Sequence, residues 1–514
     1  MAGAKCYGIE ALKVIVETNI SQGIGVFLCG LADVAVKESL LRTVTAIESL
    51  GFKIPGRKIV INLAPADLRK NGSGYDLPIA LGIIAASEQR SLPACDDYII
   101  MGELGLNGEV RPVPGALLYA ELARNQGFKG VILPEESALE AVGFRDFKVY
   151  GIRSLNDAIR ILEDNEDCSD LLVWNTPSYE HMSRGLEDGS PGGDGVDFAD
   201  IVGQEGAKRG LEIAAAGSHN VMMIGAPGSG KTSLAKALTG ILPKMTEQES
   251  LVTSKIYSIA GNGVGSLGLM QNRPFRSPHY SASMAAIIGG GGGDTISPGE
   301  VSLAHNGVLL LDEFAQMPRS VTEALRGPIE DRKVTISRLK AKLEFPSSFM
   351  LAIASNPCPC GYWGEGDRCR CTPCQRNAYL SKLSGPILDR VDIHLWLHSV
   401  PSSMVMERGR AESSEQVAAR VLKARQRQLE RFAGENIFTN AEMNNKLIEK
   451  YCPLDAQCLE TLQWIMDTSG MSMRAYFRII RLARTIADLA GIDRIEPAHL
   501  IEAAGFRFLD KHDL

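Results

Sequence analysis

The segment from Gly225 to Thr232 reads GAPGSGKT, and it restricts the possible fold more than any other feature of the chain. It fits the G-x-x-x-x-G-K-[ST] pattern, in which glycines let the backbone turn so that amide N–H groups face phosphate oxygens. The pattern is meaningful only between a strand and a helix. Here an apolar run at 220–224 precedes it and a helical segment at 231–238 follows it. The sequence therefore predicts an α/β fold with a parallel sheet and a phosphate-binding loop.

The predicted ATP-binding residues belong to this loop and to the helix start: Gly225, Pro227, Gly228, Ser229, Gly230, Lys231, Thr232 and Ser233. Lys231 should reach the β- and γ-phosphates, and the Thr232 hydroxyl should bind Mg²⁺. A second apolar run, GVLLLDE at 307–313, ends in two acids. We expect Asp312 to hold the Mg²⁺ and Glu313 to act as general base for a hydrolytic water.

A third apolar run at 349–355 ends at Asn356, and two interpretations of this residue remain open. Its amide can orient the hydrolytic water, or it can form an ordinary Asn-Pro turn. ATP hydrolysis in such sites is mostly positioning and charge stabilisation, often with an arginine from a neighbouring subunit. Arg338, Arg390 and Arg474 are the candidates for that role, although most arginines are simply solvated surface residues.

The chain has 514 residues, which is more than one hydrophobic core usually serves, so several domains are expected. Strand-like and helical runs predict an α/β domain at 1–168, and a Gly/Pro/acidic stretch predicts a flexible linker at 169–197. We expect the ATPase core at 198–400. From 401 to 514 strand signals vanish, which predicts a helical lid.

Charge and hydropathy limit the partners and the location. The formal net charge is −7, so any DNA contact requires a local basic surface. No apolar run reaches the roughly 18 to 20 residues of a membrane-spanning helix. The N-terminus lacks the order of a secretory signal, so we expect a cytoplasmic protein without membrane association.

Five of the eleven cysteines crowd the segment 358–374: Cys358, Cys360, Cys369, Cys371 and Cys374. Four thiolates can close a tetrahedral Zn²⁺ site. However, C-x-C pairs hold metal less commonly than C-x-x-C, and one cysteine is in excess. Structural zinc and reduced thiols therefore both remain open, as does the choice of the four ligands.

Several long segments together resemble the magnesium-chelatase-like AAA+ ATPases of the ComM/YifB type. They include CGLADVAVKES at 29–39, AKRGLEIAAAGSHN at 207–220, RPFRSPHYSAS at 273–283, PGEVSLAHNGVLLLDE at 298–313, NPCPCG at 356–361 and SGPILDRVDIH at 384–394. The resemblance implies an AAA+ P-loop core with a C-terminal helical lid. The chain departs from the family at Tyr280, where a second histidine is usual, and at Arg332, where glycine is usual.

The resemblance also implies residue roles. Asn356 corresponds to sensor 1 and Arg474 to the sensor-2 arginine, while Arg390, or alternatively Arg338, reaches a neighbouring subunit's nucleotide. Such trans roles imply a homo-oligomeric ring, typically a hexamer. The segment 102–120 resembles the Lon-protease-like (ribosomal S5 domain 2-like) fold. The second Lon-like segment contains no lysine to activate Ser73. The N-terminal domain is therefore expected to be a scaffold or recruitment module.

Three functions follow from the resemblance. The first is an ATP-driven motor that translocates on DNA without sequence preference, as a helicase or branch-migration enzyme in recombination or natural transformation. A predicted hairpin at 333–344 with Lys340 and Lys342, and arginines 420, 425, 427 and 431 on a later helix, are compatible with phosphate contacts. The alternatives are a magnesium-chelatase-type motor subunit and a protein-remodelling AAA+ chaperone.

Overall fold

The computed structural model describes residues 1–31, 33–187, 196–264, 266–291, 296–338, 341–383, 387–400 and 412–510. The N-terminal region forms a mixed seven-stranded sheet in the order β3-β4-β2-β1-β5-β8-β9. Its strands are β1 Ala2–Tyr7, β2 Glu10–Ser21, β3 Gly25–Cys29, β4 Lys58–Ala64, β5 Tyr98–Ile100, β8 Gly130–Pro134 and β9 Lys148–Ile152, and a separate ribbon pairs β6 Glu103–Leu104 with β7 Val110–Arg111.

Six helices accompany this sheet in the described part of the N-terminal region. They are α1 Val34–Ser49, α2 Asp76–Ala86, α3 Ala116–Asn125, α4 Glu135–Ala138, α5 Leu155–Glu163 and α6 Pro177–Glu187. In β2 the side chains of Val14 and Val16 are buried whereas Ile15 is 40% exposed, as expected for a strand with one solvated face. The predicted strands at 25–28, 59–63 and 130–133 and the helices at 34–50 and 117–126 are confirmed within two residues.

The predicted linker at 169–197 requires a correction. Val173 is fully buried in the N-terminal hydrophobic core, and Trp174, Tyr179 and Met182 pack against that core. Residues up to Glu187 are helical. Apolar side chains at helical spacing stabilise this segment, whereas the Gly/Pro/acidic composition typical of a linker belongs to the residues that follow. Of these, residues 188–195 lie outside the described ranges.

The second region contains a five-stranded parallel sheet in the order β11-β14-β17-β10-β18. These strands are β10 Val221–Gly225, β11 Phe275–Arg276, β14 Val308–Leu311, β17 Met350–Ser355 and β18 Ile393–Leu397. Every residue of β10, β14 and β17 is buried, which is why these strands are continuous apolar runs rather than alternating ones.

Helices and short ribbons surround this sheet. The helices are α7 Glu205–Gly217, α8 Lys231–Ile241, α9 Glu247–Ile259, α10 Met284–Ile288, α11 Glu300–Leu303, α12 Arg319–Ala324, α13 Arg326–Asp331 and α14 Pro373–Leu383. The ribbons pair β12 Gly289–Gly290 with β13 Ser297–Pro298, and β15 Lys333–Arg338 with β16 Ala341–Pro346. The hairpin predicted at 333–344 is thereby confirmed.

Within residues 412–510 the chain is helical: α15 Ser414–Arg431, α16 Asn445–Tyr451, α17 Ala456–Ser469, α18 Met473–Ala490 and α19 Pro497–Gly505. Apolar side chains of α15 and α18 share one hydrophobic core with α7, α8 and one face of the parallel sheet. The C-terminal helices therefore share a core with the sheet and pack against α7 and α8. None of the helices in the described ranges combines the length and apolar character that a membrane span requires.

The N-terminal region contacts α9 of the second region. The backbone N–H of Gly115 donates to the carbonyl of Ser258 at 2.9 Å, and Lys255 pairs with Glu121 at 2.6 Å. The Ser258 hydroxyl also donates to the buried carboxylate of Glu140. A second contact joins the β1–β2 turn to the hairpin, where the Tyr7 hydroxyl donates to the carbonyl of Lys342 at 3.4 Å.

Candidate nucleotide-binding site

The loop between β10 and α8 has the backbone geometry that phosphate binding requires. Gly228 and Gly230 have φ values of +78° and +92°, and a Cβ at either position would meet nothing within 4 Å, so the loop encloses open space. Such φ values favour glycine. Gly225 is required for a different reason, because a Cβ there would lie 2.6 Å from the carbonyl oxygen of Leu397. The Gln204 amide donates to the carbonyl of Ser229 at 3.2 Å and supports the loop from one side.

Lys231 lies at the start of α8 and points back into the loop. Its Nζ donates to the carbonyls of Gly225 and Ala226 at 2.7 and 2.9 Å, and to Oδ1 of Asn356 at 3.3 Å. Burial lowers the pKa of Lys231, while the nearby Asp312 and Glu313 oppose this shift. The structure thus brings together the phosphate-loop lysine and the asparagine at the end of β17.

Thr232 and Asp312 also lie together. The Thr232 hydroxyl donates to Oδ2 of Asp312 at 3.1 Å, and the other carboxylate oxygen accepts from the backbone N–H of Glu313 at 2.8 Å. Two adjacent hard oxygen ligands next to a phosphate loop suit Mg²⁺, which is held by few protein groups and by substrate phosphates. Glu313 is exposed and has a φ of +50°, a costly conformation for a non-glycine residue that is concentrated at functional sites.

Pro227 and Ser233 are exposed on the outer surface of the loop and on the first turn of α8, whereas Ser229 is buried. All eight residues predicted from the GAPGSGKT segment and its helix start therefore lie around one concave turn. The local sequence determines this arrangement because a β-strand, a glycine-rich turn and a helix are consecutive in the chain.

Arg390 and Arg474 lie at the other edge of the sheet. Arg390 ends the short 3₁₀ turn before β18, and its carbonyl accepts from the Asn220 amide, directly before β10, at 2.8 Å. Arg474 pairs with Asp389 at 2.5 Å, and Arg390 pairs with Glu330. β10 has five residues, so this edge is roughly 13 Å from the phosphate loop at a strand rise of about 3.3 Å per residue. Neither arginine lies beside the loop of its own chain.

Arg390, Arg474 and Arg326 form a cluster of arginines, in which Glu330 pairs with Arg390 and Asp389 with Arg474. Burial and the charges of Arg326 and Arg474 lower the pKa of Arg390. Arg338 is the last residue of β15, but its side chain, like all of Lys340, lies outside the described part of the structure. The second candidate for the trans role is therefore placed only by its backbone.

The basic helix predicted after Glu415 requires a correction. In α15, Arg420 pairs with Glu212 and Glu412, Arg427 with Asp493, and Arg431 with Asp488. Arg425 is bound to the carbonyl of Ala215 and to the Ser218 hydroxyl, and burial lowers its pKa to about 10. These arginines link α15 to its neighbours instead of forming a solvated phosphate-binding surface. Helical periodicity in the sequence cannot distinguish these two roles.

Four of the five clustered cysteines converge. The Sγ atoms of Cys358, Cys360, Cys369 and Cys371 all lie within 4.8 Å of one another, whereas Cys374 is exposed at the start of α14, outside the group. Backbone N–H groups of Tyr362 and Arg370 lower the pKa of Cys360 to about 6. A tetrahedral site with four thiolates at about 2.3 Å from Zn²⁺ requires such convergence.

A cavity of about 500 Å³ opens beside the phosphate loop and was not predicted from the sequence. Its lining includes Gly203, Gln204, Trp396, His398, Phe506 and Phe508. Gln204 connects it to the loop, since its amide also donates to the carbonyl of His398 at 2.6 Å. The lining residues come from three distant chain segments, so no local motif indicates them.

The sequence matches three family descriptions over most of its length. Residues 197–405 match magnesium chelatase, subunit ChlI; residues 16–137 match subunit ChlI of Mg-chelatase; and residues 411–507 match the ChlI C-terminal region. The chain belongs to the magnesium-chelatase-like AAA+ family. Membership in this family of AAA+ proteins implies ATPase activity and agrees with the parallel sheet and the C-terminal helices.

Relatives within this family match along nearly the whole chain. The Competence protein ComM of Haemophilus influenzae is 41% identical over 97% of this chain and 95% of its own length. Proteins named YifB from Salmonella typhimurium and Escherichia coli are each 40% identical over 98% of this chain and 96% of their own lengths. The expected resemblance to the ComM/YifB type is thereby confirmed.

Arg332, the position at which the resemblance implies glycine, has a distinctive backbone conformation. Arg332 has a φ of +54°, a conformation that a glycine adopts without strain. Here the longer side chain reaches the C-terminal helical region, where its guanidinium pairs with Glu442 at 2.9 Å. Arg332 thus connects the base of the β15–β16 hairpin to the C-terminal helical region through this ion pair.

Proposed function

We propose that this chain is a cytoplasmic, ring-forming ATPase that couples ATP hydrolysis to translocation on DNA. The observation that carries the ATPase part is the convergence of four groups, two at the start of α8 and one directly after each of the strands β14 and β17. At the mouth of a glycine-rich loop, Lys231 is hydrogen-bonded to Asn356 and Thr232 to Asp312. This is the set of groups needed to bind a triphosphate and its Mg²⁺.

In this proposal the chain's own residues position the reactants. The loop N–H groups and Lys231 bind the phosphates, and Thr232 and Asp312 hold Mg²⁺, which neutralises developing charge when it is bound. Glu313 accepts a proton from the attacking water, and Asn356 orients that water. The aromatic cavity beside Gln204 has a size within the usual range for ligand pockets and is suited to the adenine base.

The arginine cluster is proposed to act between subunits. Arg390 and Arg474 lie at the edge of the sheet opposite their own phosphate loop. A ring packs one edge of each subunit against the next, so these arginines can meet a neighbour's γ-phosphate. A ring of six subunits is the expected assembly, and the sensor-2 residue Arg474 then acts in trans, together with Arg390.

Two observations support the proposed translocation on DNA: the exposed hairpin and the name of a close relative. The relative that is 41% identical is named a competence protein. In this chain the β15–β16 hairpin exposes Lys342, which suits sequence-independent contact with phosphates, whereas Lys333 pairs with Glu344 at 3.1 Å. The N-terminal domain, proposed to have a Lon-protease-like fold, holds this hairpin and α9 and is a scaffold. Its Ser73 hydroxyl donates to Glu103 instead of to a lysine.

Zinc is the proposed occupant of the cysteine cluster, with Cys358, Cys360, Cys369 and Cys371 as its ligands. Four sulfur ligands at mutual distances up to 4.8 Å fit a closed tetrahedral site. Plasma emission spectrometry on protein purified without chelator should find about one zinc per chain. A Cys374→Ser variant should keep the metal and a Cys369→Ser variant should lose it.

The test of the motor is ATP turnover measured with and without single-stranded and forked DNA, together with strand displacement. We expect DNA to stimulate turnover and forked DNA to be unwound, with Lys231→Ala abolishing both activities. ATP turnover that is indifferent to every DNA structure would exclude the motor. It would favour the magnesium-chelatase-type function that the family descriptions suggest, or else a protein remodeller.

A further inference from the structure

The cysteine cluster lies against the phosphate loop. Cys358 is two residues after Asn356, whose amide is hydrogen-bonded to Lys231, and Cys358 is fully buried. The chain from β17 therefore passes from the nucleotide site directly into the proposed metal site. Tyr379 of α14 links the same places, since its hydroxyl interacts with Ser355 and lies near Cys358 and Glu313.

Gly361 makes the direct contact with the loop. It has a φ of +84°, and a Cβ at this position would lie 2.9 Å from Cδ and 3.0 Å from Cγ of Pro227. The backbone at Gly361 is thus in close contact with Pro227 of the phosphate loop. Gln204 supports the phosphate loop on one side, and the cysteine segment supports it on the other.

The cysteine segment contains little apolar surface to stabilise itself. Between Pro359 and Cys371 the side chains are exposed or half-buried apart from Gly361. Its main packing is an edge-to-face contact of Trp363 with Trp396, with ring centroids 5.4 Å apart, and Arg376 stacked over Trp363. A loop of this kind is ordered by the metal that closes it, because binding free energy replaces a hydrophobic core.

We propose that the metal bound by these four thiolates supports the phosphate loop, so that ATP affinity depends on metal occupancy. The inference rests on the proposed ATP and zinc sites and adds a coupling between them. Without metal, the segment at 358–371 no longer holds Gly361 against Pro227. The phosphate loop then has to be ordered by ATP itself, which weakens apparent binding.

Two glycines of the same segment provide a matched pair for testing the contact. Gly366 has a φ of +63° with nothing within 4 Å of an added Cβ, whereas the Cβ at Gly361 meets Pro227. Alanine strains the backbone at both positions. It displaces the phosphate loop only at Gly361.

The experiment measures zinc content and the affinity for a fluorescent ATP analogue on the same full-length samples. We expect Gly361→Ala to keep its zinc and to bind the analogue about tenfold more weakly. Gly366→Ala should match the wild type in both measurements. Cys369→Ser, and wild-type protein stripped of metal with a mercurial and a chelator, should lose zinc and bind the analogue weakly, and zinc added back to the stripped protein should restore binding.

The outcomes separate the possible failures. Equal analogue affinity of Gly361→Ala and Gly366→Ala, or unchanged affinity after loss of zinc, overturns the coupling while the two sites stand. Wild-type protein without zinc refutes the metal site and, with it, this inference. Analogue binding that survives in Lys231→Ala instead refutes the proposed ATP site.

Discussion

Glu140 lies in the contact between the N-terminal domain and α9, and its protonation should control the stability of that contact. Its side chain is 3% exposed and accepts a hydrogen bond from the Ser258 hydroxyl. The Cys6 thiol and the Tyr119 phenol lie nearby, and burial raises the pKa of both. Both groups are therefore neutral at ordinary pH. Burial also raises the pKa of Glu140 from 4.5 to about 7.

The sign of the effect follows from proton binding. Between pH 4.5 and 7 the folded protein holds a proton on Glu140 that the unfolded chain has lost, so the free energy of unfolding falls as pH rises through this window. A change in pKa from 4.5 to about 7 corresponds to at most about 3 kcal/mol. The penalty is absent below pH 4.5 and complete above pH 7.

A Glu140→Gln variant should therefore unfold at a higher temperature than the wild type at pH 8 and at nearly the same temperature at pH 5. Scanning calorimetry across this range measures the difference, expected to be several degrees for the transition that includes this contact. Glu121→Gln is the control, since it removes the ion pair with Lys255 in the same contact and leaves Glu140 in place. Parallel pH profiles of Glu140→Gln and the wild type would refute the reasoning.

Three further outcomes are expected. Glu313→Gln should bind ATP normally yet hydrolyse it at least about a hundredfold more slowly, because a positioned base contributes about that much; brisk turnover in a single-turnover assay would mean that another group is the base. Arg332→Gly should be more stable than Arg332→Ala by about 1 kcal/mol in chemical denaturation, because both lose the pair with Glu442 but only alanine keeps the backbone strain; equal stability would contradict the strain argument. Arg390→Ala and Lys231→Ala should each be inactive in ATP hydrolysis. Rings that mix the two variants should regain part of this activity, because Arg390 of one subunit then meets the intact phosphate loop of another. A mixture that forms rings but stays inactive would exclude the trans role of Arg390.

The phosphate loop was predictable from the sequence alone, because its parts are consecutive. β10, the glycine turn and α8 follow one another, so spacing determines where Lys231 and Thr232 lie. Asp312 and Asn356 were predictable for a related reason. The carboxyl ends of parallel strands meet at one edge, and a polar residue that ends a buried apolar run is therefore brought to that edge.

Other features depend on residues that are distant in the chain, and only the tertiary structure decided them. Spacing did not indicate which four of five cysteines converge, because a chain of this length can fold Cys374 in or out. The arginines of α15 are bound by acids on other helices, which helical periodicity does not reveal. The contact of Gly361 with Pro227 depends on how β17 and β10 lie side by side, since van der Waals contact is set by packing and not by sequence separation.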